Sequence, residues 1–249
     1  MVIKIGLVGY GKAGAAVAEV LAGDARFELC WIARQTASAA MQKVAMGEVP
    51  VLTLGEANLS DWLDTHPVDA LVDFSVPQSL TLYGEELRRR ELMLVSAISA
   101  YAPEQLSYAR SLGAHTRVLC SPNITLGINF LIMAARLLRQ IAPFADVEIL
   151  EQHFKAKPEV SGTAKKIAES LDLDAEKITS LRLGGIVGHH EVIFGFPYQT
   201  VRLTHDSIKR EAFGTGAAFA LAELALRDRG FYTFEDLLME KVRGQWLAQ

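Results

Sequence analysis

Between Glu151 and Ala164 the chain reads EQHFKAKPEVSGTA. His153, Lys155 and Lys157 precede Ser161-Gly162-Thr163, all directly after the apolar run DVEIL. A histidine titrates near neutral pH, and burial can tune a lysine toward it, so the pair suits proton delivery. Backbone N–H groups at a helix start, flanked by two hydroxyls, suit a carboxylate. By spacing alone, the stretch reads equally as a solvated strand end followed by an ordinary N-cap.

A second constellation opens the chain. Gly9-Tyr10-Gly11-Lys12-Ala13-Gly14 has the spacing G-x-G-x-x-G, after the apolar run VIKIGLV and before a helical pattern. In that context the first glycine permits the tight turn, and the second lets the backbone approach a pyrophosphate. The third lets helix and strand pack, and the phosphates sit at the helix N-terminus. The alternative is an ordinary glycine-rich turn. Choice of cofactor falls at the end of the second strand, where a carboxylate would bind the ribose hydroxyls of NADH. This sequence has Ala33-Arg34-Gln35 there. Arg34 suits a 2′-phosphate, so NADPH is expected, with NADH possible; a solvated arginine is the plainer reading. Asp73-Phe74-Ser75-Val76-Pro77 and Ser96-Ala97-Ile98-Ser99 end two further strands with small residues. They give a nicotinamide ring room to approach, or simply make turns.

These groups need a scaffold, and the patterning supplies one. In the first 120 residues, VIKIGLV, FELCWIA, DALVDFS, LMLVSAI and TRVLCS alternate with helical patterns near 12–22, 78–90 and 103–112. Such alternation predicts an α/β fold with a doubly wound parallel sheet. The second half differs. After a long helix over 127–141, the runs DVEILEQH, ITSLRLGGIVG, HEVIFGF and QTVRLTHD follow with little helix except near 161–170. That predicts a mixed or antiparallel open sheet, before an alanine-rich helix over 211–227.

The bulk numbers bound the function. The 249 residues carry a net charge of -4, which argues against general nucleic-acid binding. Neither a signal peptide nor a membrane span is expected, and the two cysteines, Cys30 and Cys120, lie in strands expected to be buried. A reducing, cytoplasmic setting follows as the expectation. His189 and His190 lack partners at ligand spacing and are read as structural or loop residues, with no metal site.

Nearly the full length resembles the dihydrodipicolinate reductase family. EQHFKAKPEVSGTA is similar to that family's Glu-x-His-His, Lys, Ser-Gly-Thr-Ala signature. SPNITLGINFL (121–131), GGIVGHHEVIF (184–194) and VRLTHDSIKREAF (201–213) continue the agreement. The resemblance implies a Rossmann-like nucleotide domain over 1–123 and 211–249. Into it is inserted an α+β domain of open mixed sheet over 124–210, for substrate binding and oligomerisation. It further implies hydride transfer to an unsaturated cyclic imine dicarboxylate, in a homotetramer. By the same resemblance His153 is the acid-base histidine and Lys157 the proton donor. Ser161, Gly162 and Thr163 hold a substrate carboxylate, and Arg210 lies near the substrate. Gly9 to Gly14 form the dinucleotide loop. Ser96, Ala97 and Ile98 fall where the nicotinamide is contacted, and Ser121, Pro122, Asn123 and Ile124 on a second nucleotide loop.

The sequence also departs from the family pattern. Phe154 stands where the second signature histidine belongs, the stretch from Lys157 to Ser161 is a residue shorter, and Ser96-Ala97-Ile98-Ser99 replaces Gly-Thr-Thr-Gly. Missing donors weaken a site built for a dicarboxylate. A reductase of a related imine and a non-catalytic nucleotide-binding homologue therefore stand as alternatives.

Overall fold

The computed structural model describes residues 2–36, 40–45 and 47–246. The chain divides into two compact units, Met1–Thr125 with Phe213–Gln249, and Leu126–Ala212.

The first unit begins with β1 (Ile3–Val8), α1 (Lys12–Ala22), β2 (Phe27–Arg34), β3 (Met41–Val44) and β4 (Gly47–Thr53). It continues through α2 (Leu59–Thr65), β5 (Ala70–Asp73), α3 (Ser79–Arg90), β6 (Met93–Ser96), α4 (Pro103–Leu112) and β7 (Arg117–Cys120). The second unit holds α5 (Leu126–Ile141), β8 (Asp146–His153), α6 (Gly162–Ser170), β9 (Ile178–Arg182), β10 (His189–Phe196) and β11 (Gln199–Asp206). The chain then runs through α7 (Glu211–Leu224), β12 (Gly230–Tyr232) and α8 (Phe234–Trp246).

The first unit carries an eight-stranded sheet in the order β12-β7-β6-β5-β1-β2-β4-β3. Every neighbouring pair is parallel except β3–β4, which is antiparallel. The central strands are apolar runs because both faces are covered: Leu7, Leu71, Leu94 and Leu119 are all 0% exposed. Strand order reverses at β1, which pairs with β2 on one side and β5 on the other. A ligand crevice is expected outside the carboxyl ends at such a point. Three strands go beyond the sequence reading. The β3–β4 hairpin is a short edge element, and β12 is three half-buried residues, too brief to show a periodicity. Cys30 and Cys120, expected to be buried, are half-buried and free.

In the second unit a four-stranded sheet runs β11-β10-β8-β9. The β8–β10 and β10–β11 pairs are antiparallel and β8–β9 is parallel, so the sheet is mixed. Ile128, Leu131 and Ala135 of α5 join Ala164, Ile167 and Ala168 of α6 in one core with Ile149, Val192 and Phe194. The run ITSLRLGGIVG, read as one strand, stops at Arg182. Gly184 then adopts φ 48, a left-handed conformation that suits glycine, and the chain turns.

Candidate active site

Strand alternation builds the second unit's polar cluster. Val147, Ile149, Glu151 and His153 share the inward face of β8, so the apolar layer ends in a carboxylate and an imidazole. Register places Ser180 of β9 and His190 of β10 beside Glu151, and Arg182 beside His153. Glu151 is 0% exposed and accepts from His153 Nδ1 (2.5 Å), Ser180 Oγ (2.7 Å) and the Ser161 N–H (3.2 Å). Arg182 grips both its oxygens, at 2.9 and 2.8 Å. Burial alone would raise the carboxyl pKa; the hydrogen bonds from Arg182, Ser180, His153 and the Ser161 N–H overcome that and hold it at about 2. An ionised Glu151 only accepts, so His153 Nδ1 is the donor to it, which leaves Nε2 for another partner. Space beside Nε2 depends on Gly188, where a Cβ would stand 3.2 Å from that nitrogen.

Ser161 caps α6, its Oγ accepting from the Ala164 N–H and meeting His190 Nε2 at 2.8 Å. The first turn of α6 contains no acidic residue. Gly162 is exposed, with open space where a Cβ would be, and Thr163 is half-buried. This first turn can accept an anion against its N–H groups. Lys157 is half-buried; its backbone N–H donates to Phe154 O at 3.0 Å and its carbonyl accepts from Arg182 Nε at 3.1 Å. Phe154 is 44% exposed, and Arg210 is exposed in the turn before α7.

In the first unit the glycine loop has the anatomy a dinucleotide requires. Gly9 has φ 91, and a Cβ there would lie 2.7 Å from the backbone of Phe74 and Ser75. A Cβ on Gly14 would lie 2.1 Å from Gly9 O, so α1 packs against the turn only through glycine. Gly11 meets nothing within 4 Å. It caps α1 without a side-chain bond, no acidic residue lies in the first turn, and Lys12 and Ala13 follow within it. That open cradle fits a pyrophosphate. The Arg34 guanidinium lies 5.5 Å from the Tyr10 ring centroid, at the end of β2.

Beyond β5, Phe74 packs against Phe213 at 6.4 Å, and Asp73 is fully buried beneath it. Asp73 accepts from the Ser75 N–H and hydroxyl and from Tyr83. Ser96 Oγ lies 2.9 Å from Tyr101 Oη and accepts the Ile98 N–H at 3.4 Å. Ala97 is half-buried. Ser121 Oγ donates to Asn123 O at 2.7 Å, Pro122 is exposed, and Ile124 is buried. A Cβ on Gly216 would lie 1.8 Å from Ile124 O, so α7 closes on that loop. The hydroxyls of Ser96 and Ser121 thus serve their own loops.

Sequence reasoning left Glu151, Ser180 and Arg182 without roles and read His190 as a structural or loop residue. The signal for Glu151 was present: a carboxylate at a core-facing position of an apolar strand requires a partner. Ser180 and Arg182 join it only through β8–β9 register. His190 lies within β10 rather than a loop, 4% exposed, its ring 5.3 Å from that of His153.

Against protein-family models, residues 3–124 match "Dihydrodipicolinate reductase, N-terminus" and residues 123–238 match "Dihydrodipicolinate reductase, C-terminus". The chain belongs to the dihydrodipicolinate reductase family. Its resemblance to a 4-hydroxy-tetrahydrodipicolinate reductase of Thermosipho africanus is 28% identity, over 96% of this chain and 99% of the relative. For the reductase of the same name from Methylococcus capsulatus the figures are 27%, 96% and 98%. The fold is that of the dipicolinate-bound dihydrodipicolinate reductase from Paenisporosarcina sp. TG-14. The TM-score is 0.78 at 23% identity, covering 94% of this chain and 98% of that one. A scyllo-inositol dehydrogenase from Lactobacillus casei, solved with NAD(H), aligns at TM-score 0.58 and 14% identity over 96% of this chain and 93% of that one. This dihydrodipicolinate reductase family member is an NAD(P)H-dependent oxidoreductase with a Rossmann-like nucleotide domain, and the family's reductase serves lysine and diaminopimelate biosynthesis. Among the described residues no helix is long and apolar enough to cross a membrane.

Proposed function

We propose that the chain reduces a cyclic imine dicarboxylate, 4-hydroxy-tetrahydrodipicolinate or a close analogue, with NADPH as donor. The observation behind this reading is the cluster in the second unit. His153, the Lys157 segment and the Ser161 cap are tied to one ionised carboxylate, Glu151, directly or through Arg182. The names of the relatives point the same way.

The backbone from Gly9 to Gly14 would hold the pyrophosphate, and Arg34 the 2′-phosphate. Phe74, Ser96 to Ile98 and Ser121 to Ile124 would border the nicotinamide. When bound, the cofactor supplies a hydride. The N–H groups of Gly162 and Thr163 take one substrate carboxylate. Arg210 supplies positive charge toward the acid. Hydride arrival builds negative charge on the ring, which the Lys157 ammonium stabilises and then protonates. His153 Nε2 exchanges that proton while Nδ1 stays on Glu151. On this reading residues 1–123 with 211–249 form the nucleotide domain, and 124–210 form the substrate and oligomerisation domain of a homotetramer.

Phe154 favours a variant of the same reading, in which the substrate presents one polar group fewer on that side. Adding freshly synthesised dihydrodipicolinate while following NADPH absorbance tests the proposal. Oxidation that Lys157→Ala abolishes supports it. Tight NADPH binding without turnover on any cyclic imine dicarboxylate would overturn the substrate assignment.

A further inference from the structure

We infer that Glu151 and Arg182 act as a joint positioning unit for the reduction: the carboxylate fixes the tautomer of His153 and holds the Ser161 N–H, and the guanidinium fixes the backbone at Lys157 and Glu159. The inference rests on the reductase reading above and adds two residues to it.

Arg182 has five N–H donors in a planar fork, and all of them are occupied. Its Nη1 donates to Glu151 Oε2 (2.9 Å) and Leu181 O (2.9 Å). Its Nη2 donates to Glu151 Oε1 (2.8 Å) and Glu159 O (2.8 Å). Nε donates to Lys157 O at 3.1 Å. Two carbonyls of the segment from His153 to Ser161 therefore hang from one side chain. That segment gains little from packing, since residues 154, 155, 156, 158, 159 and 160 are all exposed. Its far end is tied back to the same pair, because the Ser161 N–H donates to Glu151 Oε1 at 3.2 Å. His153 binds the other oxygen at 2.5 Å. One ion pair thus sets the ring, the lysine segment and the helix cap together.

With Glu151 buried and Arg182 half-buried, the pair returns little net stability, because desolvating the charges offsets most of their attraction. Its geometric consequence is larger. A ring held through Nδ1 presents Nε2 in one direction, the arrangement by which a carboxylate orients an acid-base histidine. Lysine in place of Arg182 would keep the charge but has three donors and no fork, so it cannot reproduce the clamp.

The test uses full-length protein with NADPH bound, comparing wild type with Glu151→Gln and Arg182→Lys. Nitrogen-15 NMR of the His153 ring reads its tautomer independently of turnover. Wild type should show the Nδ1–H form, and Glu151→Gln a mixture. For Glu151→Gln we expect kcat on the dihydrodipicolinate substrate to fall about 10²–10⁴-fold, the range for losing a base-orienting carboxylate or the proton transfer it supports. Arg182→Lys should lower kcat at least tenfold while the His153 tautomer persists. NADPH affinity should stay within about twofold in both. An unchanged tautomer and unchanged kcat in folded Glu151→Gln would overturn the inference. So would full activity in Arg182→Lys, which decides the matter if Glu151→Gln does not fold. A wild type with the Nδ1–H tautomer but no NADPH oxidation would instead count against the reductase reading and leave the geometric claim standing.

Discussion

Ser161 Oγ and His190 Nε2 lie 2.8 Å apart, joining the cap of α6 to β10, an inner strand of the mixed sheet. His190 is 4% exposed, and its Nδ1 has no partner among the described residues. Burial, reinforced by the neighbouring His153 and His205, depresses its pKa from the usual 6.5 to about 4. The ring is therefore neutral at physiological pH.

Between about pH 6.5 and 4 the unfolded chain binds a proton at His190 that the folded chain refuses. Stability falls across that window by on the order of 3 kcal/mol and then levels off for this group. Denaturant unfolding of wild type and His190→Gln at intervals across the window should show a flatter profile in the variant. Glu151 acts lower: its contribution is complete above about pH 4.5 and is lost as pH falls toward about 2.

Gly11 and Gly14 should separate binding from folding. Alanine at position 11 meets nothing within 4 Å, so stability should change by no more than about 1 kcal/mol. Its methyl group would occupy the pyrophosphate cradle, and NADPH affinity should fall at least tenfold, about 1.4 kcal/mol. Alanine at position 14 would press on Gly9 O from 2.1 Å and should cost about 1–3 kcal/mol of stability. Calorimetry and NADPH titration on both variants test the contrast; equal unfolding temperatures would refute it.

Arg34→Glu should invert cofactor preference. A carboxylate at the end of β2 repels a 2′-phosphate and suits ribose hydroxyls. The NADPH to NADH ratio of kcat/KM should drop tenfold or more, about 1.4 kcal/mol. An unchanged ratio would remove Arg34 from the cofactor site.

Lys157→Met retains much of the side-chain bulk and removes the ammonium. We expect kcat to fall by about 10²–10⁴ while the NADPH dissociation constant stays put, as a proton donor outside the nucleotide unit requires. Loss of NADPH binding in step with kcat would mean that the lysine supports the fold instead.

Local order settled much of this protein. Strands β1, β2, β5, β6 and β7 are predominantly apolar runs, and G-x-G-x-x-G follows the first of them, so the parallel sheet and its glycine turn were readable in the chain. At His153, Lys157 and Ser161-Gly162-Thr163 the spacing left open a proton-transfer site or a solvated strand end with an N-cap, and the family resemblance supplied their expected roles. The brief edge elements β3 and β12 hold too few residues to show a period, and only their neighbours in the sheet define them. The partners of Glu151 were out of reach for a different reason. Ser180 and Arg182 approach it across β8–β9, and His190 stands opposite it across β8–β10 to bond Ser161, at sequence separations that no local pattern encodes. Residue types and spacing determined which groups are available for proton transfer. Sheet register decided which of them share one buried carboxylate, because hydrogen-bonded strand pairing fixes distances that the order of residues leaves open.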